Sequence, residues 1–435
     1  MTTYDTYKDS GISWLGKIPS HWLIAPGFSL FCENKEKFIP TNEPTVLSLS
    51  YGNIIIKKNK DEGLVPDNYN GYQVVKPGYI IIRCTDLQND KVSLRTGLAK
   101  NNGIITGAYL GIIVYNHFNA EYLHYFLHDW DITKEIYRHG SGLRQSLSWN
   151  DLKRLPILVP PKAEQKAIVS YLNDTISKID AAISQQQKMI DLLKERKQII
   201  INEAVTRGLN PDVPMKPTGI EWLPEIPEHW HIKRFKNLYK TRTGVSFTKS
   251  QLEDEGEQVI SYGQIHSKEN WFASINPALI RHIPASLVVG YDGAIAKYGD
   301  FMFADTSEDF EGCGNCIFVD TNDKLYAGYH TILAKNDNEE YGQYLAYLFA
   351  SPNWRGQLRS AVNGVKVYSV TQTILNNTYV VLPPFNEQKV IANFIINKVK
   401  PIDKSIERCK RMIKLLTERK QIIINDVVTG KIKVS

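Results

Sequence analysis

The chain has 435 residues, more than one hydrophobic core ordinarily supports, so two or more domains are expected. An apolar fraction of 43% and an aromatic fraction of 11% exclude a disordered or fibrous chain, and no apolar run is long enough to cross a membrane. Met1–Gly16 lacks a signal-peptide core and the five cysteines are too sparse for a disulfide framework, so a cytoplasmic protein is expected, whose net charge of +6 suits an anionic partner.

In chain order, the first distinctive string is Ser10-Gly-Ile-Ser-Trp-Leu-Gly-Lys-Ile-Pro-Ser-His-Trp22. Short β-branched runs follow, Tyr79–Ile82 and Gly103–Val114, punctuated by Gly, Asn and Asp, which predicts short strands and turns. Glu121–Tyr137 reads as helical. After Pro160-Pro161 a long helix is predicted, because proline is tolerated where the first amides have no intrahelical partner.

The same succession then recurs. Thr218–Trp230 matches Ser10–Trp22 at eight of thirteen positions. Ser261–Ile265 answers to Ser50–Ile54, Pro284 with Leu287–Val289 to Pro77 with Ile80–Ile82, and Tyr344–Tyr347 to Tyr122–Tyr125. Tyr341–Arg359 is again helical, Pro383-Pro384 opens a second long helix, and Glu195–Asn202 reappears unchanged as Glu418–Asn425. Matches in one order mean a duplicated unit of roughly two hundred residues. The expected organisation is mixed α/β: a globular domain at 1–160, a long helix within 161–208, a second globular domain at 209–382 and a second long helix within 383–435.

The two helices carry matching apolar seams. Leu172, Ile176, Ile179, Ile183, Ile190, Leu193 and Ile200 step along the first by fours and threes, as do Ile395, Val399, Ile402, Ile406, Ile413, Leu416 and Ile423 along the second. That spacing is the coiled-coil repeat. Lys197 and Lys420 interrupt the seams at equivalent places, which favours one register. Two seams in one chain are best satisfied by each other. With a whole domain between them, an antiparallel, pseudo-two-fold pair is expected. The seam from Leu172 to Ala204 would span roughly 50 Å at 1.5 Å per residue.

Strings that imitate catalytic motifs do not survive inspection. Leu382-Pro-Pro-Phe385 resembles the Asn/Asp-Pro-Pro-Tyr/Phe motif of amino-group methyltransferases, but leucine cannot hydrogen-bond the target amine. Asp191 with Glu195-Arg-Lys197 imitates a nuclease metal site, yet Lys197 lies on the apolar seam of a helix. Cys313-Gly-Asn-Cys316 has metal-ligand spacing without a second pair, and no phosphate-binding Gly-x-x-x-x-Gly-Lys-Ser/Thr occurs. No catalytic residue, metal or cofactor is expected in this chain.

Groups suited to DNA are more plentiful. In the first half these are Arg83, Arg95, Lys100, Arg138, Arg144 and Gln145. In the second they are Arg242, Gln264, His266, Lys297, Lys366 and Tyr368. Arginine can bond guanine through two hydrogen bonds and Gln can bond adenine, while lysine positions phosphates. The Gly-bearing segments Gly140–Ser146 and Asn363–Tyr368 occupy corresponding places in the two copies.

Gly-Ile-x-Trp-Leu-x-x-Ile-Pro-x-His-Trp at Gly11–Trp22 and Gly219–Trp230, with Pro-Pro-x-x-Glu-Gln at Pro160–Gln165 and Pro383–Gln388, resembles the specificity subunits of Type I restriction-modification systems. The resemblance spans essentially the whole chain. It implies two target recognition domains, each reading half of a bipartite, asymmetric site on double-stranded DNA, with the helices setting the gap. It implies docking of two methyltransferase subunits and of restriction subunits, and it assigns S-adenosylmethionine, ATP and Mg2+ to those partners. The competing expectation is a non-catalytic coiled-coil assembly hub that does not bind DNA.

Overall fold

The computed structural model describes residues 2–39, 44–57, 69–90, 92–142, 145–337, 339–362 and 367–434. The chain divides into two compact units, one formed by Met1–Gln187 with Lys410–Ser435 and the other by Lys188–Cys409. Besides single-turn helices there are α1 (Ala120–Ile132), α2 (Lys162–Arg207), α3 (Gly342–Ala350), α4 (Pro352–Ala361) and α5 (Phe385–Val428). Each unit holds one globular body and a stretch of both α2 and α5.

In the first unit, Ile80–Ile82 is buried on both faces, as an uninterrupted apolar strand should be. It lies inside an antiparallel sheet of order Phe31–Glu33, Leu110–Val114, Ile80–Ile82, Thr96–Leu98. α1 starts at Asn119, whose side chain accepts from the amides of Glu121 and Tyr122. Its buried face is Tyr122, Leu123, Phe126, Leu127 and Trp130, set at helical spacing. Leu23–Pro26 pairs with Pro156–Val159, which ties the start of the body to the residues leading into α2.

The second unit repeats this plan with the order Tyr239–Thr243, Thr331–Asn336, Phe301–Ala304, Cys316–Phe318. Its central strand corrects the sequence match, which equated Ile80–Ile82 with Leu287–Val289. Ala285–Val288 forms a 3-10 turn and Val289 is exposed; Phe301–Ala304 takes the central place. The cause is the turn before the strand. Gly78 (φ +89°) donates to the Ala99 carbonyl and Gly299 (φ +96°) to the Val319 carbonyl, both at 2.9 Å. A left-handed glycine, not the neighbouring proline, sets where the strand begins. A second sheet, of order Arg281–Ile283, Glu257–Ile260, Leu325–Ala327, Ile295–Ala296, includes one parallel pairing, and His231–Arg234 pairs with Tyr379–Leu382 before α5.

The helices pair as the seams require. In the first unit the leading part of α2 packs with the trailing part of α5, and in the second the trailing part of α2 packs with the leading part of α5; the pair is therefore antiparallel. Leu172, Ile179 and Ile423 are buried in the first unit, with Ile176, Ile183, Ile413 and Leu416 half-buried. In the second, Ile190, Ile395, Val399, Ile402 and Ile406 are buried, with Leu193 and Ile200 half-buried.

The seam lysines have partners. Lys420 binds Asp180 at 2.7 Å in the first unit, and Lys197 binds Asp403 at 2.7 Å in the second. Both members of the second pair stand 223 residues from their counterparts in the first, so each lysine meets the aspartate of the other copy. The same contact is thus made once in each unit, with the roles of the two helices exchanged. Half-exposed ion pairs contribute about 0–1 kcal/mol each, so they select register more than they stabilise.

Candidate nucleic-acid interface

The repeated strings meet in space. Glu164, in the first turn of α2, accepts from Trp22 Nε1 (2.9 Å) and Tyr4 Oη (3.0 Å) and contacts His21 Nε2 (2.7 Å). Burial pushes its carboxyl up, but those three partners outweigh burial and hold it below the usual range. In the second unit Glu387 accepts from Trp230 Nε1 (3.1 Å) and contacts His229 Nε2 (2.7 Å). The adjacent glutamines complete the joint. Gln165 donates to the Pro160 carbonyl (2.9 Å) and accepts from the Asn119 amide (3.2 Å). Gln388 donates to the Pro383 carbonyl (2.9 Å) and accepts from the Tyr341 amide (2.9 Å). The His-Trp and Pro-Pro-x-x-Glu-Gln strings thus fasten each helix to its globular body. The Tyr-Leu-x-Tyr string is structural too: Tyr122 donates to the Leu158 carbonyl (3.0 Å) and Tyr344 to the Val381 carbonyl (3.1 Å).

Among the expected DNA-contacting residues of the first unit, Arg83, Arg95, Arg138 and Gln145 lie together. Arg95 is fully buried. Its Nη1 donates to the Thr85 (2.8 Å) and Arg83 (3.3 Å) carbonyls, and its Nη2 to those of Asp86 (3.1 Å) and Asp90 (2.5 Å). Its Nε donates to Tyr137 Oη (3.3 Å), so the guanidinium is spent on shaping the Thr85–Asp90 loop. Arg83 pairs with Asp90 at 3.1 Å, and hydrogen bonds from Ser93, with that charge, bring the Asp90 carboxyl down to about 2. Gln145 sits at φ +37° and donates to the Tyr137 (2.7 Å) and His139 (2.9 Å) carbonyls. Arg138 is exposed and pairs with Glu135 at 3.3 Å. Arg144 lies outside the described residues. Lys100 stands apart, lining a cavity of about 840 Å³ beside His124, Tyr125 and His128 of α1.

In the second unit His266 and Tyr368 meet around one short ladder. His266 Nε2 contacts the Thr306 carbonyl (2.8 Å) and its Nδ1 contacts Asn315 Nδ2 (2.9 Å). Thr306–Ser307 pairs with Tyr368–Ser369, and Tyr368 packs edge-on against Phe310 with centroids 5.5 Å apart. Gln264 is turned inward on its own helical turn, accepting from the Ser261 amide at 3.1 Å. Arg242 and Lys297 are exposed, on Tyr239–Thr243 and in the turn before Phe301–Ala304. Lys366 lies outside the described residues. Sequence reasoning missed a neighbouring group. Tyr262 stands 5.4 Å from both Tyr329 and His330, and His330, at φ +54°, pairs with Asp305 at 3.1 Å. Nothing local marks these residues, because three separate segments of the chain supply them.

Among the described residues no group of three or more His, Cys, Asp or Glu side chains could hold a metal ion, and no helix is long and apolar enough to cross a membrane.

The family model described as the Type I restriction modification DNA specificity domain matches residues 41–190 and 227–414. The chain is similar to the Type I restriction enzyme MjaVIII specificity subunit of Methanocaldococcus jannaschii, 25% identical over 285 residues, covering 65% of this chain and 63% of that protein. It is also similar to the putative type I restriction enzyme MjaX specificity subunit of the same organism, 28% identical over 302 residues, covering 67% of this chain and 62% of that one. The chain thus spans somewhat under two thirds of the length of these relatives. A solved chain from work on complex assembly and conformational transition of the type I R-M system aligns over 96% of this chain and 100% of its own, with a TM-score of 0.68 at 14% identity. That likeness supports the fold.

Proposed function

The chain belongs to the Type I restriction-modification DNA specificity family, and on that premise we propose that it is a DNA-reading subunit that recognises a bipartite, asymmetric site on double-stranded DNA and directs methyltransferase and restriction subunits to it. In this reading residues 1–160 and 209–382 are the target recognition domains, and 161–208 with 383–435 form the spacer between them. The exchanged ion pairs Lys420–Asp180 and Lys197–Asp403 carry the reading, because they fix one register for two duplicated readers. Readers held at one separation recognise two half-sites with an unread gap. The copies have diverged, with His124 and His128 in one standing where Ala346 and Ala350 stand in the other, which suits an asymmetric site.

Met189, Leu192 and Ile199 on α2, and the equivalent Met412, Leu415 and Ile422 on α5, remain exposed. Two matching apolar stripes on one chain suit two copies of one partner, the methyltransferase subunits, with restriction subunits joining that core. S-adenosylmethionine, ATP and Mg2+ belong to those partners, and this chain performs no chemistry itself.

The test is to express the chain with its methyltransferase partner and map methylated adenines. A bipartite motif with constant gap is expected, and exchanging residues 1–158 for a homologous half should change one half-site only. A continuous motif, or methylation by the chain alone, would overturn the reading.

A further inference from the structure

The second unit contains a buried cation without a counter-ion. Arg355, on α4, is 8% exposed. Its Nε donates to the Phe349 carbonyl at 3.2 Å, and its guanidinium lies 5.3 Å from the Phe272 ring centre. Among the described residues no carboxylate pairs with it, and its Nη2 is buried with no hydrogen-bond partner. Burial, with the Arg359 charge nearby, pushes the guanidinium down to about 10, so it remains charged at neutral pH. A buried, unpaired charge costs several kcal/mol unless something neutralises it.

Arg359 stands one helical turn further along α4, on the same face. Its Nη2 donates to the Glu311 carbonyl at 2.7 Å and pairs with the Glu311 carboxylate at 3.0 Å, while its Nε is buried and unpartnered. Glu311 is a loose cover: its side chain is 82% exposed, whereas that of Arg359 is 17% exposed. Gly314 (φ +83°) lets the turn before Cys316 close on this pair, since a Cβ there would lie 2.8 Å from Leu358 and 3.3 Å from Arg355. The other ionisable groups facing the arginines are Asp309, Cys313 and Cys316. The thiols are neutral, because burial pushes Cys316 up to about 12 and raises Cys313 as well.

We propose that Arg355 and Arg359 form a seat for a phosphate oxyanion, occupied in function by a backbone phosphate of DNA and provisionally covered by the Glu311 carboxylate. Two guanidinium groups suit a tetrahedral oxyanion, which accepts several charge-assisted hydrogen bonds at once. The Glu311 carboxylate satisfies only Arg359. An arriving phosphate displaces it into solvent and supplies the acceptor that Arg355 lacks. The contact fixes position rather than reading bases. In the first copy Thr133 and Tyr137 occupy the corresponding places, so the seat belongs to the second unit alone.

The DNA occupant rests on the function proposed above; the anion seat does not, and the two are tested separately. The full chain is titrated with inorganic phosphate at constant ionic strength while its unfolding midpoint is followed. Phosphate should raise the midpoint of the parent. Arg355→Met and Arg359→Gln should weaken phosphate about tenfold or more, the scale of a lost charge-assisted hydrogen bond. Glu311→Gln should tighten it, which a purely structural role for the arginines does not predict. An equal response of all four proteins to phosphate would overturn the seat. If Arg355→Met fails to fold, Arg359→Gln and Glu311→Gln decide the question.

In the second arm, binding to a DNA duplex of unrelated sequence is measured against salt. Arg359→Gln should lower the slope by about one. An unchanged slope removes DNA as the occupant. A parent chain with no salt-dependent DNA binding would sink the proposed function, while a selective phosphate response would still support the seat.

Discussion

The two units share one scaffold but fasten it differently. At the start of α2, Glu164 has Trp22, His21 and Tyr4 as partners; at the start of α5, Glu387 has, among the described residues, Trp230 and His229, and Asp212 stands where the repeat would place a second Tyr4. Where α5 ends, Asn425 donates to both carboxylate oxygens of Asp129 at 3.2 Å. In the other copy Ser351 replaces that aspartate, and it caps α4 instead, accepting from the Trp354 amide. The cores diverge as well, with aliphatic Ile80–Ile82 answered by Phe301–Ala304 packed against Phe349 and Trp354. Duplication preserved the Trp–Glu and His–Glu contacts and the Gln hydrogen bond to the proline carbonyl in both copies. The core side chains changed, from an aliphatic to an aromatic set.

The largest expected difference between the units concerns pH. Burial pushes the Asp129 carboxyl up to about 7 and Asp131 to about 6, despite the Asn425 hydrogen bond to the first and the Arg95 amide to the second. A raised folded-state pKa means the neutral acid is the favoured form in the fold. The contribution is complete below the unfolded value near 4 and is lost as pH rises through 6 to 7. Asp129→Asn should therefore stabilise the first unit at pH 8, by up to about 4 kcal/mol, and have little effect at pH 4. Amide hydrogen exchange of α1 at the two pH values checks this. An equal effect at both would show that burial is not the cause.

Glu164→Ala should cost the first unit about 3 kcal/mol and Glu387→Ala should cost the second about 2 kcal/mol, since truncation leaves three and two partners unpaired respectively. Urea unfolding with unit-resolved hydrogen exchange reads both, and the reverse order would contradict the three-against-two comparison. The helix ends give a smaller contrast. Gly430 and Gly208 both sit at φ +76°, but a Cβ on Gly430 would lie 2.4 Å from Pro19, whereas on Gly208 its nearest neighbour is Trp230 at 3.2 Å. Gly430→Ala should cost about 2 kcal/mol and Gly208→Ala about 1 kcal/mol in midpoint stability. The smallest effect is expected at the seam. Lys197→Met and Lys420→Met should each change stability by less than about 1 kcal/mol and by similar amounts, because the two ion pairs are equivalent. A large change in only one would break that equivalence.

The repeated strings were legible without coordinates, and their role was not. Pro-Pro-x-x-Glu-Gln and His-Trp lie more than a hundred residues apart in each copy, and only folding reveals that one receives hydrogen bonds from the other. The expected DNA-contacting residues show the opposite. Arginine chemistry singled out Arg95, yet the carbonyls of Arg83, Thr85, Asp86 and Asp90 and the hydroxyl of Tyr137 enclose it. No spacing rule places those acceptors. Arg355, whose Nη2 has no such acceptor among the described residues, did not stand out in the sequence at all.

The sequence by itself determined the duplication, the two antiparallel seams and the absence of recognisable catalytic strings. These are signals of local period and of exact repetition, and they survive without knowledge of distant neighbours. Only the tertiary structure decided that Phe301–Ala304 forms the central strand, that each seam lysine meets the aspartate of the other copy, and that among the described residues buried Arg355 keeps an unpartnered Nη2. Each of those outcomes depends on groups brought together from remote parts of the chain. The energy of a charge or a strand is set by what encloses it, and that enclosure exists only in the fold.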